Sequence, residues 1–282
     1  MEHQYRYSYR AVAFLDVLGF KSKLKEFEEE AINFRSNITD GEIEEDLINS
    51  PIFYSQKASD FIETFNHAIS KLNKEEFSYY LFSDNICITA NNIKRDEEKS
   101  LTELLLVISE LYFEFVKQGY FLRGGIDYGL FIEKSSIALG VPLANAYNME
   151  TVQAVFPRII LSKNFVKQFE VYPSEGVEEF VSIFTSSLIK SSCEIQYLNV
   201  FNHIFKVEDK ELFFESYSQN ILKNLNHNQL NEHIFLKYKW LADEFNSFID
   251  TYTSELAYYD ENFEATDNFI EIIKQQKISY GY

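Results

Sequence analysis

Two aspartates stand in runs otherwise built for burial: Asp16 in FLDVLGF (14–20) and Asp84 in YLFSDNICI (80–88). A buried carboxylate without a partner is costly, so each needs one. Asp16 alone is equally well served by a basic side chain, and Asp84 alone suits capping of a turn. Two strand-end carboxylates brought side by side, however, repel each other unless cations hold them. With substrate phosphates they make the hard oxygen set that Mg2+ prefers, the arrangement used in two-metal phosphoryl transfer. Arg123, in LRGGIDYG (122–129), adds a guanidinium able to give two donors to phosphate oxygens. The plainer alternative pairs Arg123 with an acidic side chain. Asp127 is a candidate for that pairing and is not counted as catalytic.

The elements that must position these groups follow from periodicity and turn residues. Residues 11–20 form a short apolar run ending near Gly19, which predicts a buried strand, and KSKLKEFEEE (21–30) opens a charged helix. Residues 29–50 are acidic and poorly periodic, and are expected to be a surface insertion or loop. Between Pro51 and Leu72 the apolar positions Phe61, Ile62, Phe65, Ala68, Ile69 and Leu72 recur at three and four, as in an amphipathic helix. SYYLFSDNICITA (78–90) reads as a hairpin turning at Ser83-Asp84-Asn85, and 101–119 as a helix stopped by Gly119. Five of the nine glycines fall between 119 and 140, implying paired strands that something approaches closely. A helix is expected over PLANAYNMETVQA, then a strand at 156–162, and later a long amphipathic helix with Trp240 on its apolar side, suited to a dimerisation or lid element. The order predicts an α+β fold: a mostly antiparallel sheet covered by helices on one face, plus a helical C-terminal extension. The expected division is 1–165 as core and 166–282 as a dimerisation or regulatory part.

Composition bounds the functional classes. The 282 residues are 46% hydrophobic and 17% aromatic, enough for a large core. With 26 basic and 44 acidic residues the formal charge is −18, which disfavours nucleic acid but not a small phosphorylated ligand chelated by cations. No apolar run reaches the roughly 18 residues of a membrane span. Cys87 and Cys193 lack CxxC spacing and are expected to be reduced, buried thiols, consistent with a cytoplasmic protein. The five histidines show no metal-ligand spacing, and no GxxxxGK[ST], GxSxG or GxGxxG motif is present.

Four stretches, in order, resemble the class III nucleotidyl cyclases. Phe14-Leu15-Asp16-Val17-Leu18-Gly19-Phe20 resembles the family's F-x-D-[IVL]-x-G-F, and Phe82-Ser83-Asp84 its G-D turn with Ser for Gly. Arg123-Gly124-Gly125-Ile126-Asp127-Tyr128-Gly129 resembles R-x-G-[IV]-x-x-G. Gly140 to Glu150 resembles the segment that carries the transition-state Asn and Arg. The resemblance spans about residues 10–165. It implies that Asp16 and Asp84, with the Val17 carbonyl, hold two Mg2+ or Mn2+ ions. It further implies that Arg123 stabilises charge at phosphorus, and that sites form between head-to-tail subunits of a homodimer.

The departures are informative. The purine-reading Lys position is Tyr80, and the second purine reader falls on Ile137 or its neighbour Ser136. The transition-state Asn aligns with Ala144, leaving Asn145 as its stand-in, and the Arg aligns with Asn148. This pattern looks most like the pyrimidine cyclases of Pycsar anti-phage systems, which implies cyclisation of CTP or UTP for an effector protein. A tyrosine hydroxyl serves cytosine or uracil equally. The rivals are an inactive nucleotide-binding scaffold of the same fold, a phosphatase (for which Leu18 spoils DxD), and a dinucleotide-forming cyclase, whose GGDEF-like turn is absent.

Overall fold

A computed structural model of the chain describes residues 6–37, 53–90, 97–134, 137–171, 188–259 and 264–280. Its centre is the strand β1 (Ser8–Val17), which leads through Gly19, at φ +76°, into helix α1 (Phe20–Asn37). Helix α2 (Gln56–Ser70) is capped by Ser55, whose hydroxyl accepts from the Ala58 amide at 3.1 Å. The hairpin β2 (Phe77–Phe82) and β3 (Asn85–Ala90) turns through Ser83, a non-glycine residue at φ +59°. Helix α3 (Glu97–Lys117) follows, then β4 (Leu122–Lys134) and β5 (Ile137–Gly140). Helix α4 (Val141–Asn148) runs into one π turn, Met149–Gln153, before β6 (Ile159–Leu161) and α5 (Lys163–Val171). The C-terminal part comprises β7 (Ile189–Ser192), β8 (Ile195–Leu198), a 3-10 turn at Val200–Phe205, α6 (Lys210–His227), α7 (Glu232–Tyr259) and α8 (Glu264–Gln275).

The strands form an eight-stranded sheet in the order β2-β3-β1-β4-β6-β8-β7, with β5 paired to β4. All pairs are antiparallel except β4 with β6. The fold is α+β, as expected. Strand alternation divides its residues sharply. Ala11, Ala13, Leu15 and Val17 of β1 join Ile86, Ile88, Leu122 and Ile126 in one core with α2, α3, α6 and α7. Buried rings from the C-terminal helices, among them Phe213, Tyr217 and Phe245, belong to that same core. The opposite face carries the even-numbered residues of β1 and the odd-numbered residues of β4, including Asp16, Arg123 and Asp127.

Several expectations need correction. Residues 29–37 continue α1 rather than forming a loop, and 38–50 lie outside the described residues. Helices do not keep to one face, since α4 packs on the other side against β1 and β4. The helix over PLANAYNMETVQA changes to a π turn after Asn148, and the strand over 156–162 is confined to three residues. Cys87 is buried but Cys193 is exposed. The glycine pair after Arg123 is explained by packing: a Cβ on Gly125 would stand 2.6 Å from the Ala146 carbonyl oxygen and 2.7 Å from Met149 Cβ. A Cβ on Gly124 would instead meet the neighbouring strand, 2.4 Å from the Phe14 carbonyl oxygen.

Candidate functional site

Cross-strand register alone brings two predicted residues together, because Asp16 and Arg123 are direct partners on β1 and β4. Arg123 Nε donates to Asp16 Oδ2 at 2.9 Å. Its other side faces Glu150, with Nη2 2.7 Å from Oε1. Glu150 stands in the π turn, 5% exposed, and its Oε2 accepts from the Thr151 hydroxyl at 3.0 Å. The pairing partners of Arg123 are therefore Asp16 and Glu150. Asp127, four residues along β4, is not one of them.

Asp84 closes the corner. It follows the left-handed Ser83, and the turn sets its carboxyl within hydrogen-bonding reach of Asp16. Asn85 Nδ2 donates to Asp84 Oδ1 at 3.3 Å. Burial is the largest influence on Asp16 and pushes its pKa up to about 7. Arg123 pulls the value down, while Glu150 and Asp84 push it up again. Val17, buried at the end of β1, sits beside this group opposite Leu122. The corner thus gathers three carboxylates, Asp16, Asp84 and Glu150, around Arg123.

The C-terminal extension reaches the same corner. Tyr238 of α7 packs edge-on against Phe121 at 5.6 Å, and Trp240 stacks on Phe156 at 5.1 Å. Lys237, just before Tyr238, is half-buried one turn before the buried Leu241. Burial and the nearby Arg123 lower its pKa, while Asp16 and Glu150 raise it. No sequence signal marks Lys237 beyond its place on the apolar stripe of a long helix. Glu150 was legible only as the acidic residue closing the 140–150 segment.

The other predicted residues lie elsewhere on the same face. Asn145 donates to Asp127 Oδ2 at 2.7 Å, and Ser162 donates to Oδ1. With Asn148 and Lys163 they line a polar cavity of about 330 Å3. Four strand residues separate it from Arg123, roughly 13 Å. Tyr80 lies across β3 from β1, opposite Cys87, which in turn faces Phe14. Its hydroxyl donates to Glu133 Oε1 at 2.8 Å. Ile137 is 58% exposed and opposes Lys134, whereas its neighbour Ala138 opposes Glu133 and packs near Tyr80. Ser136 lies outside the described residues. One chain thus carries two separate groups, Asp16–Asp84–Arg123–Glu150 and Tyr80–Glu133.

Whether the corner suits divalent cations depends on its donor set. Among the described residues no group of three or more His, Cys, Asp or Glu side chains has the arrangement of a metal cage. Two adjoining carboxylates, one with a raised pKa, do fit Mg2+ or Mn2+, which take few protein ligands and complete their shell with water and phosphate.

No protein-family model and no curated protein matches the chain. Among solved structures, the adenylyl cyclase CyaB from P. aeruginosa is similar at 16% identity and TM-score 0.40, over 59% of this chain and 83% of that one. The guanylyl cyclase domain of the RhoGC fusion protein from the aquatic fungus Blastocladiella emersonii is similar at 11% identity and TM-score 0.40, over 68% and 94%. The guanylyl cyclase Cya2 is similar at 11% identity and TM-score 0.36, over 58% and 79%. At such identities the functional reading rests on the residues. No helix among the described residues is long and apolar enough to cross a membrane.

Proposed function

We propose that this chain is a nucleotidyl cyclase that converts a pyrimidine nucleoside triphosphate, CTP or UTP, to its 3′,5′-cyclic monophosphate and pyrophosphate. The observation that carries this reading is the carboxylate corner: Asp16 and Asp84 in mutual reach, Asp16 pushed up to about 7, with Arg123 beside them. Asp16 and Asp84, with the Val17 carbonyl, would hold two Mg2+ or Mn2+ ions. When bound, these would make the 3′-hydroxyl a better nucleophile and neutralise the departing pyrophosphate. A bond forms from O3′ to the α-phosphorus, the bond to the β-phosphate oxygen breaks, and the 3′-hydroxyl proton leaves to solvent.

Arg123 sits where charge accumulates on the phosphorus oxygens, fixed by Asp16 on one side and Glu150 on the other. Lys237 adds a second cation for the polyphosphate tail. Tyr80, Ser136 and Ile137 would meet the base, and Asn145 with Asn148 would serve the transition state. By the family resemblance these come from the second subunit of a head-to-tail homodimer. Tyr80 in place of the family's Lys would suit a smaller base. Residues 1–165 would carry the chemistry and 166–282 would buttress or regulate it. The resemblance also suggests a cytoplasmic second-messenger role in anti-phage defence, read by an effector protein.

A second reading, an inactive nucleotide-binding scaffold, is favoured by one observation: in a single chain Arg123 is held by two carboxylates and Asn145 by Asp127. Incubation of the protein with ATP, GTP, CTP and UTP in Mn2+ separates the two. Cyclic product that disappears in Asp16→Ala and Asp84→Ala supports the cyclase. Nucleotide binding without any cyclic product supports the scaffold.

A further inference from the structure

A tyrosine hydroxyl facing a base can donate or accept, and this ambiguity is what leaves cytosine and uracil undivided. In this fold the ambiguity is removed. The Tyr80 hydroxyl has one proton, and it is given to Glu133 Oε1 at 2.8 Å. Glu133, as a carboxylate, only accepts. Its second oxygen is held by the Thr89 hydroxyl at 3.2 Å, and Thr89 is fully buried. Arg10 Nη2 lies 4.0 Å from that same oxygen, while Nη1 is anchored to the Ala90 carbonyl at 3.0 Å. Tyr80 and Thr89 thus both donate to Glu133, with the Arg10 guanidinium at ion-pair distance. Burial and the Glu133 carboxylate both keep the proton on Tyr80.

We infer that the Tyr80–Glu133 pair presents only acceptors to a bound base, and so selects a nucleobase with an exocyclic amino group, cytosine over uracil among pyrimidines. Position 4 of cytosine carries an NH2 with two hydrogens, one for the Tyr80 oxygen and one for the carboxylate. Uracil carries a carbonyl there. Shifting uracil so that its N3–H meets Tyr80 leaves that carbonyl facing Glu133, acceptor against acceptor. The inference rests on the proposed cyclase reading, in which Tyr80 meets the base, and it adds Glu133 as a specificity-determining residue. Alternation along β4 places Glu133 on the same face as Arg123, Gly125 and Asp127, although it belongs to no motif.

The test is competition among equimolar ATP, GTP, CTP and UTP with the full chain in Mn2+, with the cyclic products quantified. The wild type is expected to favour CTP over UTP by about tenfold or more. In Glu133→Gln the amide can donate to Tyr80 and free its hydroxyl, so the CTP to UTP ratio should fall to within about threefold of unity. Tyr80→Phe keeps the ring packing and should lose the preference similarly, which keeps the test decisive if Glu133→Gln does not fold. Preference for UTP over CTP, or a tenfold CTP preference retained in both variants, overturns the inference. Adenine and guanine also bear amino groups, so cyclic AMP or cyclic GMP as main product upholds the acceptor rule and overturns the pyrimidine reading. No cyclic product from any nucleotide overturns the cyclase reading and this inference with it.

Discussion

The two faces of one sheet, built from alternate residues of the same strands, do opposite things. On the inner face Leu15, Ile86 and Ile88 are fully buried and contribute to a core that includes the C-terminal helices. One residue along from Leu15, Asp16 is 13% exposed, paired with Arg123 and close to Glu150 and Asp84, and burial raises its pKa. The inner face is satisfied by apolar packing alone. The outer corner gathers Asp16, Asp84 and Glu150 around Arg123, with Lys237 nearby, and the proposed cation site rests on that cluster. Mutations on the two faces should accordingly separate activity from stability.

The largest separation is expected at Asp84. Asp84→Ala should lower cyclic product formation by about a thousandfold, with the melting temperature unchanged or raised because carboxylate repulsion is relieved. On the inner face Leu15→Ala should do the reverse in kind, costing about 2–5 kcal/mol of stability through a buried cavity, read from denaturant unfolding. Arg123→Lys retains the charge but not the planar fork that spans Asp16 and Glu150, and turnover should fall about a hundredfold. Lys237→Met removes one partly screened charge at the corner, and a rise in KM of about tenfold is expected with little change in melting temperature. A loss of stability matching that of Leu15→Ala would mean that Lys237 serves packing.

The smallest effect is the pH dependence. Asp16 titrates near 7 in the folded chain against 3.8 for the ordinary group, so folding favours its protonated form. This contribution is fully present below about 3.8 and is lost as pH rises through about 7. Without divalent cations the melting temperature should therefore decline from pH 5 to pH 8 by a component that Asp16→Asn lacks. A decline of equal size in Asp16→Asn would remove Asp16 as its source.

Much of this arrangement is legible in the sequence because it is local. The alternation in residues 8–17, the turn after Phe82, the helix stop at Gly119 and the strand that follows are patterns of neighbouring residues. Residues 29–37 were misread because their weak periodicity hides a helix continued from α1. The glycines after Arg123 imply a close approach, and what approaches is β1 at Gly124 and α4 with the π turn at Gly125. What local patterns do not contain is who meets whom across the fold. Arg123 has three acidic residues within reach of the motif, and only β1–β4 register and the π turn decide for Asp16 and Glu150. Lys237 stands more than 110 positions beyond Arg123 in the chain, yet it joins the same electrostatic group through the docking of α7 on Phe121 and Phe156. Glu133 likewise acquires a role only once Tyr80 is seen to donate to it.

The most direct measurement of the central claim is a 31P NMR time course of the purified chain with CTP and Mg2+. The spectrum distinguishes cyclisation from hydrolysis in a single sample. The account predicts that a cyclic monophosphate and pyrophosphate appear in equal amounts at the rate CTP disappears, and that neither forms with Asp84→Ala. Release of inorganic phosphate with CDP, or a CTP spectrum unchanged over time, would contradict it.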